Sequence, residues 1–308
     1  MESESKTAVF AAIAGNVAIA VTKLIAAVVT GSSAMLSEGI HSLVDTGNGG
    51  LLLLGMRMSR KPPDEHHPFG HGKELYFWSL VVAILIFALG GGMSIYEGVT
   101  HLTHPPQAHD PTWNYVVLGL AFVFEGISFF FAFKAFRSEK GTQGMLAAIH
   151  ASKDPTTFTV LFEDTAAMLG LLVAFLGIFL GQQLHNPYLD GVASIIIGAI
   201  LSVVAGFLAY ESKGLLIGEG VDAQTLKSIR AIAAEDVAVQ EVKKSLTMHF
   251  GPEEVLLALE IRFKKQLRAA EIAVAVNRME KVIRTQHPEI KYIFIEAKCL
   301  KEAKETGS

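Results

Sequence analysis

Along the first two-thirds of the chain the apolar positions do not alternate with polar ones; they run on. Six mostly apolar stretches fall at roughly 7–29, 34–56, 76–99, 113–134, 156–180 and 188–209. A helix needs about 20 such residues to cross the bilayer core, so each stretch predicts a transmembrane helix. They are too long for strands, and their number excludes a lone signal peptide. Met1 to Lys6 carries two Glu and one Lys, unlike an Arg-rich, acid-poor transit peptide.

The pattern changes near Glu211. Asp222–Glu235 has amphipathic helical spacing. Val242–Phe250 and Glu254–Phe263 read as strands joined by a turn at Gly251-Pro252. Arg268–Thr285 returns to helical spacing, with Ile272, Ala275, Val276, Met279 and Ile283 on one face. Ile290–Ala297 reads as a third strand. The expected organisation is therefore an all-α, six-helix membrane domain over residues 1–210 and a small α+β domain of αββαβ order over 211–308, with helices on one sheet face.

Composition agrees with this division. Of 308 residues, 51% are hydrophobic and 18% charged, against about 25% charged in an ordinary soluble domain. Mean hydropathy is +0.40. The net charge of −4 gives no basic signature for nucleic acid, so no nucleic-acid partner is expected. The single cysteine, Cys299, cannot close an intramolecular disulfide or supply a CxxC metal site.

Loop charges set the orientation. Lys6 precedes the first span. Arg57, Arg60, Lys61 and Lys73 lie between spans 2 and 3, and Lys134, Arg137, Lys140 and Lys153 between spans 4 and 5. The loops Thr30–Ser33, Thr100–Thr112 and Gly181–Pro187 hold no Lys or Arg. Both termini, and with them the αββαβ domain, are therefore expected in the cytoplasm. Lys23 is the exception inside a span, and is expected to snorkel to the outer interface.

Ionisable residues in a bilayer core are costly unless paired or hydrated, so they mark functional sites by default. His41 and Asp45, at i and i+4 in span 2, project from one helix face, which Asn48 continues. An imidazole and a carboxylate one turn apart form half of a tetrahedral metal site. Span 5 carries two adjacent acids, Glu163 and Asp164. At about 1.5 Å per residue, Asp45 lies roughly 17–20 Å and Asp164 roughly 12–14 Å from the cytoplasmic ends of their helices. Both depths fall near mid-membrane, so the two helices are expected to share one site. The alternative is a His/Asp pair that only hydrogen-bonds helices together. Three carboxylates cannot all remain ionised and unpaired there; a cation neutralises them or some carry protons, which is a physical basis for exchanging metal for protons.

Other polar groups have simpler expected roles. Glu38 and Glu97 are near outer helix ends, within reach of interfacial water. Glu125, mid-span 4, is expected to relay protons or to pair with a polar group of span 2 or 5. His101, His104 and His109 read as outer-loop histidines. Gly90, Gly91 and Gly92 suggest close helix packing. The cluster Phe129–Phe131 with Phe133 reads as lipid-facing bulk.

With these residues assembled, the chain resembles the cation diffusion facilitators, dimeric transporters of zinc and similar divalent metals. The resemblance covers nearly the whole chain. It rests on the span 2 pair His41 and Asp45, on Asp164 in span 5, on the loop run His67-Pro68-Phe69-Gly70-His71-Gly72-Lys73, on Asn16, and on the Asp190-Gly191 start of span 6. It implies a metallochaperone-like fold for the αββαβ domain and a homodimer. The chain departs from the family where span 5 ordinarily carries a histidine, because Val160 stands there. Glu163 is an additional acid that the resemblance offers as a fourth ligand, although it sits about 100° round the helix from Asp164. This acidic pair is similar to the subgroup of the ninth human zinc transporter. A site of one imidazole and several carboxylates is relatively hard, which favours Mn²⁺, Fe²⁺ or Co²⁺ more than a two-His site would. Zn²⁺ remains the first choice.

The resemblance also points to a second metal site in the loop after span 2, with Asp64 and His71 at the family's positions and Glu65, His66 and His67 nearby. In the tail, the strands Leu256–Leu259 and Tyr292–Glu296 offer few donors. His249 and His287 are isolated and read as surface or turn histidines. A tail that dimerises without a binuclear metal cluster is expected.

The function implied is a proton-coupled divalent metal antiporter, with Zn²⁺ exported from the cytoplasm through His41, Asp45, Asp164 and Glu163. The loop residues Asp64, His67 and His71 form a separate candidate site. Metal ion, protons, the lipid bilayer and a second copy of the chain are the expected partners, and no organic cofactor is expected. A bacterial inner membrane is the expected location, with an organelle membrane as the alternative. The competing class is a non-transporting metal sensor or scaffold. An enzyme is not expected, because the chain has no Gly-rich phosphate loop, nucleophile elbow or HExxH run.

Overall fold

The computed structural model describes residues 2–104, 112–140 and 153–298. Its helices are α1 (Glu2–Thr30), α2 (Ser33–Ser59), α3 (Glu74–Leu85), α4 (Met93–Thr103), α5 (Thr112–Lys140), α6 (Pro155–Gln183), α7 (Tyr188–Ile217), α8 (Ala223–Glu235) and α9 (Ala269–Gln286). The strands are β1 (Val239–Gly251), β2 (Glu254–Phe263) and β3 (Ile290–Lys298). A π-helical segment, Ile86–Gly92, joins α3 to α4, so the third apolar stretch is one continuous rod. The structure divides into two compact units, residues 1–57 with 75–213, and residues 58–74 with 214–308.

Among the described residues of the first unit, four helical rods are long and apolar enough to cross a membrane: Glu74–Thr103, Thr112–Lys134, Phe158–Gln183 and Tyr188–Ile217. The 27 residues of α2 extend about 40 Å, but Glu38, His41, Asp45 and Asn48 dilute its apolar character. Large apolar side chains such as Ile25, Phe87, Phe124, Leu172 and Val203 stand exposed on the outside of this unit, as lipid-facing surfaces require. Its core is built from Met35, Val82, Ile86, Phe158, Leu171, Ile197 and Leu201. Phe130 and Phe131 are exposed, as expected of lipid-facing bulk. Phe129 and Phe133 instead stack on each other with centroids 5.8 Å apart and pack on the core.

Glycines set a close helix crossing in this unit. A Cβ on Gly98 would lie 2.6 Å from the Gly191 carbonyl oxygen and 2.6 Å from Ile195 Cγ1. A Cβ on Gly198 would lie 2.7 Å from the Gly91 carbonyl oxygen. The rod α3–α4 and helix α7 therefore touch backbone to backbone, which no larger residue permits. Gly90, packed on Leu201, belongs to the same seam.

Helix α2 is held at its N-terminus. Gly31, at φ +68°, turns the chain between α1 and α2, a conformation glycine adopts without strain. Asp190, in the first turn of α7, then accepts hydrogen bonds from the Ser32 hydroxyl at 2.6 Å and the Ser33 amide at 2.6 Å. A carboxylate at the positive end of a helix satisfies donors that lack an intrahelical partner. Helix α6 begins equally firmly: Asp154 accepts from the Thr156 amide at 2.9 Å and Pro155 opens the first turn.

The second unit has the expected αββαβ order. β1 and β2 run antiparallel, and β2 and β3 run parallel with α9 as the crossover. The buried positions of β2 alternate: Val255, Leu257, Leu259, Ile261 and Phe263, the period of a strand with one face covered. Ile229 and Ala233 of α8 and Ala275, Met279 and Ile283 of α9 close over that face. His249, expected at the surface or in a turn, is buried on β1. His287 ends α9 and hydrogen-bonds the Ser228 hydroxyl at 2.9 Å.

The loop Met58–Glu74 belongs to this second unit. Phe69 stacks on Phe250 with centroids 4.8 Å apart and meets Tyr292 edge-on at 5.2 Å. Lys73 donates to the Leu216 carbonyl at 3.3 Å. Gly72 lies so close to the Phe250 carbonyl that a Cβ would collide with it.

Candidate metal centre

His41 and Asp45 share one face of α2, as their spacing requires. The imidazole Nε2 lies 3.3 Å from Asp45 Oδ2, and His41 is buried. One turn further, Asn48 donates from Nδ2 to Glu163 Oε1 at 2.8 Å. That bond ties α2 to α6 at the level of the candidate site. Asp45 is within electrostatic reach of both Glu163 and Asp164. Among the described residues, neither His41 nitrogen has a hydrogen-bond partner, nor has Asp45 Oδ1 or Asn48 Oδ1. Buried polar atoms are ordinarily satisfied, so a cluster of free donor atoms marks a place built for chemistry.

The two acids of α6 diverge. Glu163 is buried and faces α2 through Asn48. Asp164 is only partly buried and accepts from the Ser128 hydroxyl of α5 at 3.0 Å. Val160, one turn earlier on the Asp164 side, is exposed. Thus the acid expected to need a bend already points at α2, while its neighbour is turned toward α5. Ser128 escaped the sequence reading because a serine in an apolar run has no signature of its own.

Three readings of single residues are corrected. Lys23 does not snorkel: it is fully buried, and its ammonium donates to Glu38 Oε2 at 3.2 Å and to the Ser42 hydroxyl at 2.7 Å. Glu38 does not reach interfacial water, being fully buried beside Lys23. Glu125 lies 3.6 Å from the Lys23 ammonium, so its partner is on α1. The signal was present in the sequence, since a lysine in a bilayer core needs a carboxylate and Glu38 and Ser42 stand one turn apart.

In the second unit Asp64, His67 and His71 converge, with one ligand atom from each lying within 4.8 Å of the others. Asp64 Oδ1 is 3.1 Å from His67 Nδ1, and Asp64 Oδ2 is 3.4 Å from His71 Nε2. The local turn makes this arrangement. Asp64 Oδ1 accepts from the His66 amide at 2.9 Å and the His67 amide at 2.6 Å, and Gly70, at φ +82°, reverses the chain so that His71 returns. The backbone amide of His67 is the main influence holding the Asp64 carboxyl below the usual carboxylate range. A carboxylate with two imidazoles is a donor set that suits zinc or a neighbouring first-row metal. Glu65 and His66 lie in the same exposed turn.

A helical membrane unit with a buried His–carboxylate centre, followed by an αββαβ domain, defines the class expected from the sequence. Comparison with known families agrees: residues 9–217 match the cation efflux transmembrane domain. The chain therefore belongs to the cation efflux family, the cation diffusion facilitators, and is a multi-pass membrane protein. It is 30% identical to a frog (Xenopus laevis) protein named proton-coupled zinc antiporter SLC30A9, mitochondrial, over 89% of this chain and 56% of that one. It is 34% identical to the human protein of the same name, over 78% of this chain and 43% of that one. The Bacillus subtilis manganese efflux system protein MneP is 23% identical over 83% of each chain. The chain thus spans about half the length of the SLC30A9 relatives it matches. The expected bacterial inner membrane finds no support in the frog and human relatives, which are named mitochondrial.

Proposed function

We propose that this protein is a proton-coupled antiporter that moves a divalent metal, Zn²⁺ first, out of the cytoplasm. The ion is carried as substrate at a mid-membrane centre formed by His41, Asp45 and Glu163, with Asp164 as the fourth donor. One observation carries the reading: α2 and α6 are joined at the depth of His41 and Asp45 by the Asn48–Glu163 hydrogen bond of 2.8 Å, beside donor atoms that lack partners among the described residues. Relatives named zinc antiporters and a manganese efflux protein support the same class of cargo.

The residues divide the work. The His41 imidazole offers one nitrogen to the metal and gives the other role, proton acceptor, when the metal leaves. Asp45 and Glu163 supply anionic oxygens, and their charge without a cation is what draws protons inward. Asp164, held toward α5 by Ser128, joins by turning toward α2. Exchange of one divalent ion for protons then keeps the buried charge balanced in both directions of the cycle.

We further propose six spans with both termini on the cytoplasmic side, α1 and α2 completing the four rods, and a homodimer. The loop residues Asp64, His67 and His71 bind a second metal ion with a structural or sensing role.

The test is metal-driven proton flux in proteoliposomes holding the full chain, measured for Zn²⁺, Mn²⁺, Fe²⁺ and Co²⁺. Glu163→Gln, which keeps the hydrogen bond to Asn48 but not the charge, and Asp164→Asn should each lower flux at least about tenfold, within the range seen when residues around a metal are altered. Native flux in both variants would overturn the shared-centre reading. Metal binding without flux in the unaltered protein would favour the sensor class instead.

A further inference from the structure

A cation is already present in the membrane unit, and it belongs to the protein. The Lys23 ammonium sits among Glu38 Oε2 at 3.2 Å, the Ser42 hydroxyl at 2.7 Å and Glu125 Oε1 at 3.6 Å. These groups come from three helices, α1, α2 and α5. Lys23 and Glu38 are both fully buried. Glu38 lies three residues, and Ser42 one residue, from His41 along α2, so the cluster is within about a turn of the metal centre. The second oxygen of Glu38 has no hydrogen-bond partner among the described residues and lies against Gly170 of α6, where a Cβ would collide with it. Asp45 is within electrostatic reach of Lys23 and Glu125.

The charges do not balance locally. Two carboxylates face one ammonium, and the adjoining centre adds Asp45, Glu163 and Asp164. Leaving either partner of a buried ion pair alone is strongly unfavourable, so the Glu38–Glu125 position needs a cation wherever its carboxylates do not carry protons. An ammonium on a four-carbon stem and a hydrated divalent ion compete for the same oxygens.

We propose that Lys23 is a tethered counter-cation: it occupies a second cation position formed by Glu38 and Glu125, next to the transport centre, and keeps divalent metal out of it. The transported ion, drawn to the negative charge of Asp45 and Glu163, is repelled by the ammonium and so cannot settle among Glu38, Ser42 and Glu125. Lys23 is in this sense a positioning residue. It confines the cargo to one centre and keeps the number of ions per cycle at one. The idea rests on the metal-transport reading for its role in the cycle, but the second cation position is testable by binding alone.

The experiment counts metal ions per chain in the purified full-length protein after equilibrium dialysis against Zn²⁺, by elemental analysis. Lys23→Met removes the charge and keeps the apolar stem. It should bind one ion more per chain than the unaltered protein. The extra ion should vanish in the double variant Lys23→Met/Glu38→Gln, and Lys23→Arg, which keeps the charge, should stay at the unaltered count. If the methionine variant fails to fold, Lys23→Gln, which retains hydrogen bonding to Glu38 and Ser42, answers the same question by the same count. An unchanged count in the uncharged variant would overturn the proposal and leave Lys23 a packing residue. The two readings fail separately. An unaltered protein that moves no metal while Lys23→Met still gains an ion defeats transport and keeps the second position. Normal transport with no gain defeats the second position alone.

Discussion

Gly72→Ala tests whether the loop carrying Asp64, His67 and His71 is held by its packing on the C-terminal domain. The added Cβ would collide with the Phe250 carbonyl oxygen and lie 3.0 Å from the Phe250 carbonyl carbon and 3.1 Å from Glu254 Oε2. Backbone cannot rotate aside as a side chain can, so the loop must lift. Overpacking of this kind costs about 1–3 kcal/mol. Against it stand the contacts that hold the loop down, chiefly Phe69 on Phe250 and Tyr292, each aromatic pair contributing about 0.5–1.5 kcal/mol. The two magnitudes are comparable, so the docked loop should lose most of its advantage over the lifted one. At about 1.4 kcal/mol per factor of ten, amide hydrogen exchange across residues 64–74 should speed up roughly 5- to 150-fold. Metal affinity at the loop site should fall by a similar factor, because a lifted loop no longer holds His71 toward Asp64. Gly206→Ala, whose Cβ meets nothing within 4 Å, is the control and should change neither. Exchange and affinity in Gly72→Ala within twofold of the unaltered protein would refute the reasoning.

Two further outcomes are expected. Gly98→Ala should force the backbones of α4 and α7 apart, since its Cβ would lie 2.6 Å from the Gly191 carbonyl oxygen; a loss of about 1–3 kcal/mol should appear as a lower melting temperature in detergent, and an unchanged melting temperature would count against the seam. In the αββαβ domain, Arg278 donates to both oxygens of Asp236 at 2.7 and 2.8 Å, and this pairing holds the Asp236 carboxyl below the usual carboxylate range. Asp236 therefore adds stability above its unfolded value of about 3.9, which is lost as pH falls through the lower folded value. Thermal unfolding followed from pH 5 downward should show the unaltered protein losing this increment while Asp236→Asn, already lacking it, has the flatter profile.

The hydrophobic pattern of the sequence was enough to find the helical rods and the αββαβ order. Apolar runs of this length have few other stable forms in a membrane, and a strand with period-2 burial such as β2 declares its covered face. The same pattern singled out His41, Asp45, Glu163 and Asp164, because a charge in an apolar run is conspicuous without any structure. The i, i+4 spacing of His41 and Asp45 also put them on one face of α2. The π-segment at Ile86–Gly92 had no such signal beyond its glycines.

What the sequence left open was azimuth and partnership. Helical period fixes the angle between Glu163 and Asp164 but not which of them faces α2; that is decided by how α6 rolls against its neighbours, and the Asn48 hydrogen bond shows the outcome. Lys23, Glu38 and Glu125 are 15 and 87 residues apart along the chain, and only packing of α1, α2 and α5 makes them one cluster. Reading Lys23 and Glu38 by their distance from a helix end missed this, because the ammonium gains more from a buried carboxylate than from reaching toward water. Likewise the loop Met58–Glu74 lies among membrane helices in sequence, yet Phe69 and Gly72 pack on Phe250 of the C-terminal domain. The sequence by itself determined which segments are helices, which are strands and which residues are too polar for their surroundings. The tertiary structure decided which of those residues meet, because side-chain contacts across elements depend on the roll and register of whole elements, and no local periodicity carries that information.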